Sequence, residues 1–156
     1  MEERIIKKVL PRFLDIDNLI LMGNHHLPKV PIFAFVIKAQ NGKLLHPNFV
    51  TQLLGDLFGI QTRSGCSCAG MFGAKLLNAK PDFMNAMING IFKGYDILKM
   101  GFSRLNFSYF FTDDDIEYIL QAVDFVARYG FMFLPNYTYE LKRGLFISKD
   151  EQRFES

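Results

Sequence analysis

The stretch Arg104-Leu105-Asn106-Phe107-Ser108-Tyr109-Phe110-Phe111-Thr112-Asp113-Asp114-Asp115-Ile116 changes its hydrophobic period partway along. From Arg104 to Phe110, Leu105, Phe107 and Tyr109 alternate with Arg104, Asn106 and Ser108, as a half-buried β-strand requires. One side is expected to face the core and the other something polar. From Thr112 the spacing becomes helical. Thr112 can cap the helix, Asp113 to Asp115 favour its positive end, and Ile116, Ile119, Leu120, Val123 and Val126 form an apolar stripe that Gly130 stops.

Working outward, the same two periods recur. Ile5, Ile6, Val9 and Leu10 predict a short amphipathic helix over 2–10 that Pro11 disturbs or ends. Strands are predicted at 18–22 and 32–39, separated by the loop from Gly23 to Pro28 and followed by an Asn41-Gly42 turn. Residues 47–58 read as a helix opened by Pro47 and closed by Gly59, with Leu53, Leu54, Leu57 and Phe58 as its apolar face. Ile60 to Arg63 reads as a short strand, and 74–78 and 82–93 as helices on either side of Pro81. Residues 131–134 and 137–141 are strand-like, and roughly 140–156 are expected to form a less ordered tail. Helices interleaved with short strands predict an α+β fold, a small mixed or antiparallel sheet with helices packed on it.

Length and composition set outer bounds. At 156 residues, 49% hydrophobic and 22% charged, the chain has material for one sizeable core, so residues 1–156 are expected to form a single domain. The formal charge of +2 is spread along the chain without a dense basic stripe, which argues against a nucleic-acid partner. No apolar run reaches the length of a membrane span, so no membrane partner is expected. Cys66 and Cys68 are too close for a relaxed mutual disulfide, and reduced thiols point to an intracellular setting. Seventeen Phe and seven Met exceed what one small core needs, implying a surface covered by another domain or subunit.

The densest chemical signal is Arg63-Ser64-Gly65-Cys66-Ser67-Cys68-Ala69-Gly70, a strand end running into a glycine-rich bend. A thiol at a helix start near a guanidinium is biased towards thiolate; the bland alternative is two small buried hydrophobes. Zinc is disfavoured, because Cys66, Cys68, His25 and His26 match no standard ligand spacing. Arg104 stands on the polar side of its strand beside Asn106. There it could grip a carboxylate through two parallel hydrogen bonds or merely pair with a surface acid.

Taken in order, Arg63-Ser-Gly-x-x-Cys68-Ala, then Arg104 opening a strand, then Thr112-Asp-Asp-Asp-Ile-Glu117 resembles the end of the group II cysteine desulfurases and selenocysteine lyases. These are class V aminotransferase-like enzymes, and the likeness spans roughly residues 3–129. It implies the C-terminal small domain of a fold-type I pyridoxal-phosphate enzyme. In that family an Arg-Ser/Thr-Gly-His-His-Cys-Ala segment carries the sulfur-accepting cysteine, which falls on Cys68, and an arginine opening a later strand holds the substrate carboxylate, which falls on Arg104. Arg63, Cys66 and Asn106 would take supporting places. Cys66 and Ser67 stand where His-His is usual, and Phe111 where Asn is common. Gly-Cys-Ser-Cys-Ala-Gly and the later Phe133-Leu134-Pro135 are similar to a less defined class V group.

The resemblance further implies pyridoxal phosphate in the full-length enzyme, held by a lysine on an N-terminal large domain, and no cofactor bound by this stretch alone. The implied partners are that large domain, a small amino-acid substrate, a sulfur-acceptor protein and a second subunit. Two alternatives stay open: another class V activity without sulfur chemistry (aminotransferase, epimerase or kynureninase-like), and a stand-alone thiol-bearing binding module.

Overall fold

The computed structural model describes residues 2–64, 80–99 and 101–150. The fold is α+β. Helix α1 (Glu2–Leu14) leads into strands β1 (Leu19–Leu21) and β2 (Ile32–Ile37), followed by α2 (Pro47–Phe58) and α3 (Pro81–Phe92). A short 3-10 turn (Asp96–Leu98) precedes β3 (Ser103–Asn106) and α4 (Asp113–Tyr129); a second 3-10 segment (Gly130–Asn136) then leads to the hairpin β4 (Tyr137–Glu140) and β5 (Leu145–Ser148).

Strands β1, β2 and β3 form an antiparallel sheet in that order, with Phe33 opposite Leu105 and Ala34 opposite Arg104. The side-chain period of two therefore sorts β2 and β3 into an inner set, Phe33, Phe35, Ser103 and Leu105, and an outer set, Ile32, Ala34, Arg104 and Asn106. The inner set is buried. Phe13 from α1 meets the rings of Phe33 and Phe35 at 5.3 and 5.8 Å, and Phe33 meets Phe107 edge-on at 5.7 Å, separations at which edge-to-face pairs add to area burial. Phe49, Leu53 and Leu54 of α2 and Ile116, Leu120 and Val123 of α4 complete this core.

Local chemistry explains the element ends. Thr112 and Asp115 form a reciprocal capping box, Thr112 Oγ1 accepting from the Asp115 N–H and the Asp115 carboxylate accepting from the Thr112 N–H. Gly59 takes the left-handed conformation (φ 66°) that closes α2, its N–H bonding Gly55 O while the Ile60 N–H returns to Leu54 O. The chain is thereby turned towards Arg63. Exposed charge pairs, Arg12 with Glu117 and Arg4 and Lys8 with Asp113, tie α1 to α4.

Several expectations are corrected. Helix α1 does not stop at Leu10; it passes through Pro11 to Leu14, because burial of Phe13 offsets the hydrogen bond that proline forfeits. The strand expected over 104–110 ends at Asn106. Beyond the Phe107 N–H bond to Pro31 O the chain turns, the Phe111 N–H closing on Ser108 O, so Tyr109 is exposed instead of facing the core. The strand expected over 60–63 contributes one bridge, Arg63 to Arg104. Residues 131–134 are wound in the second 3-10 segment because Gly130 keeps helical angles and does not break the winding. Within the expected tail, 145–148 pair with β4 and lie on α2, where Phe146 meets Phe49 at 5.3 Å. The helix expected over 74–78 lies outside the described residues.

Candidate functional site

At the β3 edge of the three-stranded sheet, α2 and the segment that follows it enclose a cleft of about 500 Å³. Helix α2 contributes Thr51, Gln52 and Gly55 from the side turned away from its buried Leu53 and Leu54. The segment after Gly59 contributes Gln61, Thr62 and Arg63, and the outer set of β3 contributes Arg104 and Asn106. Arg63, Arg104 and Asn106, singled out from the sequence at scattered positions, are therefore gathered in one place. Cys66 and Cys68 lie outside the described residues.

The two arginines are direct cross-strand neighbours. The Arg63 N–H donates to Arg104 O at 3.0 Å and the Arg104 N–H to Arg63 O at 2.7 Å, so they form a doubly hydrogen-bonded antiparallel pair whose Cα atoms stand about 5.5 Å apart. Like charges placed opposite one another repel. Among the described residues no carboxylate relieves that repulsion: the ion pairs link α1 to α4 or close short local loops, and neither Arg63 nor Arg104 takes part. Among the described residues no Asp or Glu lines the cleft. Asp56, on the same helix as Gln52, is held instead by Gln52 Nε2 at 2.8 Å and the Tyr137 hydroxyl at 2.6 Å.

No protein-family profile matches the chain, and no curated protein matches it.

The described lining of the cleft is thus rich in donors and lacks acids. Two guanidinium groups, the amides of Gln52, Gln61 and Asn106, and two hydroxyls line it. The Thr51 and Thr62 hydroxyls are shielded from solvent and have no hydrogen-bond partner among the described residues, a condition that costs about 1–3 kcal/mol for each. Such a lining suits an anionic ligand bearing oxygen acceptors. Among the described residues the lining does not supply what pyridoxal phosphate would need as a resident cofactor, a lysine to carry it and an acid to pair its ring nitrogen. Among the described residues no cluster of three His, Cys, Asp or Glu could hold a metal ion, and no helix is long and apolar enough to cross a membrane.

A second polar feature lies at the opposite end of α2. His46 caps that helix by accepting from the Asn48 N–H at Nδ1 (3.1 Å), while its Nε2 lies 2.8 Å from Ile97 O and its ring packs on Phe146. One imidazole thus joins α2, the 96–98 turn and the C-terminal hairpin. Burial holds its pKa below the ordinary histidine value, against the opposing pull of the Ile97 carbonyl. The sequence reading passed over Thr51, Gln52, Gln61, Thr62 and His46. A signal was present for two of them, since His46 directly precedes Pro47, the cap position of a helix opened by proline, and Thr62 precedes Arg63 in a short strand.

Proposed function

We propose that this chain is the substrate-carboxylate-binding small domain of a pyridoxal-phosphate enzyme of the class V aminotransferase type, with cysteine desulfurase or selenocysteine lyase chemistry. The observation that carries the reading is the Arg63–Arg104 pair, two cross-strand arginines in a cleft at a sheet edge, with no acid paired to either among the described residues. Arg104, fixed by β-pairing on both its N–H and its carbonyl, anchors an amino-acid carboxylate, and Asn106 two residues on stands in the same outer row. Cys68, five residues after Arg63, supplies the thiolate that takes the chalcogen as a persulfide while alanine leaves. The cofactor, when bound, would supply the electron sink from another part of the enzyme, since among the described residues this cleft has neither a lysine nor an acid for it.

Exposed large apolar side chains support a partner domain. Phe92, Phe110 and Leu27 are 86%, 70% and 61% exposed, and a large cofactor-binding domain and a second subunit are the expected covers. A protein acceptor would take the sulfur from Cys68.

The direct test is an NMR titration of the chain with L-alanine and with L-alaninamide. Saturable shifts at the amides of Arg63 and Arg104 are expected with the carboxylate ligand alone, and loss of those shifts in Arg104→Gln. Equal responses to both ligands, or an unaltered response in the variant, would refute carboxylate anchoring. For the sulfur step, mass spectrometry of the enzyme after turnover with cysteine is expected to find a persulfide on Cys68. Alanine release that survives Cys68→Ala while Arg104→Ala abolishes it would replace the desulfurase assignment with another class V activity on the same cleft.

A further inference from the structure

Two hydrogen bonds fasten the start of α2 to the chain that leads into β3. Because His46 Nδ1 accepts from the Asn48 N–H, the ring proton sits on Nε2, which donates to Ile97 O at 2.8 Å. Ser103, buried at the head of β3, donates from Oγ to Pro47 O at 3.3 Å. The cap of α2 and its first residue are thus tied at Ile97 and at Ser103, and Arg104 follows directly. These are the two elements that face each other across the cleft, α2 with Thr51 and Gln52 and β3 with Arg104 and Asn106.

A proton on Nδ1 turns the acceptor of that cap into a donor facing another donor, at the positive end of a helix. The Nε2–H bond to Ile97 survives, so the tie breaks on its α2 side. The charged groups on the elements around the ring are engaged elsewhere. Asp96 pairs with Lys99 at 2.8 Å beside the turn, Glu140 with Arg143 at 3.7 Å in the hairpin, and Lys149 bonds Pro135 O. Lys43 and Lys142 are exposed, and the single charged residue of α2, Asp56, is held at its far end by Gln52 and Tyr137. Among the described residues no acid holds a proton on the imidazole, and burial keeps it neutral.

We propose that His46 is a positioning residue for the cleft: neutral, it holds α2 and β3 at the spacing that carboxylate binding needs, and protonated, it releases them and weakens the ligand. This rests on the carboxylate-anchoring reading above and adds to it a regulation by pH. His46 is not among the side chains that line the cleft and acts through the elements it joins. Its folded pKa lies below 6.5, so affinity is full at neutral pH and falls as the pH drops through that lowered value.

The test follows three NMR readouts in the full chain as the pH is lowered from 7.5: the His46 ring signal, the Thr51 and Arg104 amides, and the affinity for L-alanine. Circular dichroism checks folding at every point. Without ligand, the two amides are expected to shift with the His46 midpoint. L-Alanine is expected to bind about fivefold more weakly below that midpoint than above it, the scale of one lost capping bond. His46→Asn separates positioning from capping, since it keeps an acceptor for the Asn48 N–H but is too short to reach Ile97 as well. It is expected to bind L-alanine at the weakened level at every pH, and His46→Gln, with its longer side chain, to recover part of the loss. Unaltered affinity in His46→Asn, equal affinity on both sides of the midpoint, or a ring that stays neutral until the chain unfolds overturns the proposal. If L-alanine fails to bind at pH 7.5, or binds equally well to Arg104→Gln, the carboxylate anchor fails instead. Amide shifts that follow the His46 midpoint then uphold the tie between α2 and β3 without it, and amides that ignore that midpoint overturn the tie too.

Discussion

The two faces of the three-stranded sheet are built from alternate residues of the same strands and serve opposite ends. On the inner face Phe33, Phe35 and Leu105 are sealed by Phe13 of α1 and by the apolar sides of α2 and α4. One residue along, Ile32, Ala34, Arg104 and Asn106 point the other way, and at the β3 edge that row meets Arg63 and the polar wall of the cleft. The inner face is satisfied by its own chain; the cleft is not, since its charges repel and two of its hydroxyls have no partner. Stability is concentrated on one face and unmet binding capacity at the edge of the other. Function is expected where the unmet capacity lies.

That contrast can be broken or sharpened by four measurements. The largest effect is expected at Phe35, fully buried beneath Phe13: Phe35→Ala should cost about 3–5 kcal/mol in chemical denaturation. A loss below about 1 kcal/mol there would show that the inner face is not the main source of stability.

Next comes the histidine that joins α2 to the C-terminal hairpin. The fold needs His46 neutral, because protonating Nδ1 removes the acceptor for the Asn48 N–H and puts a cation at a helix N-terminus. Its folded pKa lies below the unfolded value of 6.5, so between the two the unfolded chain binds more protons. The His46 contribution is therefore complete above about pH 6.5 and is lost as pH falls through that value towards the depressed one. Stability measured from pH 7.5 to 5 should therefore fall, with the His46 part of the slope setting in below about pH 6.5. His25, whose pKa burial also lowers, acts in the same direction, so the decisive comparison is His46→Asn. It keeps a capping acceptor and should flatten the His46 part of the slope; an unchanged slope would remove His46 as its source.

The cleft should respond with the opposite sign. Thr62→Val removes an unpartnered shielded hydroxyl at nearly constant volume, so a thermal melt of the ligand-free chain should show a gain of about 1 kcal/mol. A loss of that size would mean that the hydroxyl is already satisfied in the folded chain. The smallest effect belongs to the surface: Arg12→Ala breaks the fork to Glu117, but both side chains are substantially exposed, so the cost should stay near 0.5 kcal/mol and shrink further in salt. A cost of several kcal/mol would place the α1–α4 charge seam alongside the aromatic core.

Much of this could be read beforehand, and the misreadings share a cause. The alternation of Leu105 with Arg104 and Asn106, the Thr112 cap and the Pro47 to Gly59 helix are local events, set by neighbours within a few residues, and each stands where the spacing puts it. Pro11 predicts an end because proline costs a helical hydrogen bond; burial of Phe13 by residues twenty positions away outweighs that cost. Alternation predicts a core position for Tyr109, while the strand runs out of partner after Asn106. Residues 145–148 read as charged tail because their apolar contacts lie on α2, about a hundred positions upstream.

For the site, the sequence by itself named Arg63, Arg104 and Asn106, because residue type and strand period mark a polar row wherever it occurs. It could not say that Arg63 and Arg104, forty-one positions apart, would lie side by side with no acid paired to them among the described residues. Nor could it show that Thr51 and Thr62 would keep unpaired hydroxyls in the same wall, or that His46 would join three elements. Periodicity and capping are properties of a few consecutive residues and survive in any fold. Which charges are left unpaired depends on every chain segment that passes nearby, and only the tertiary structure decided that.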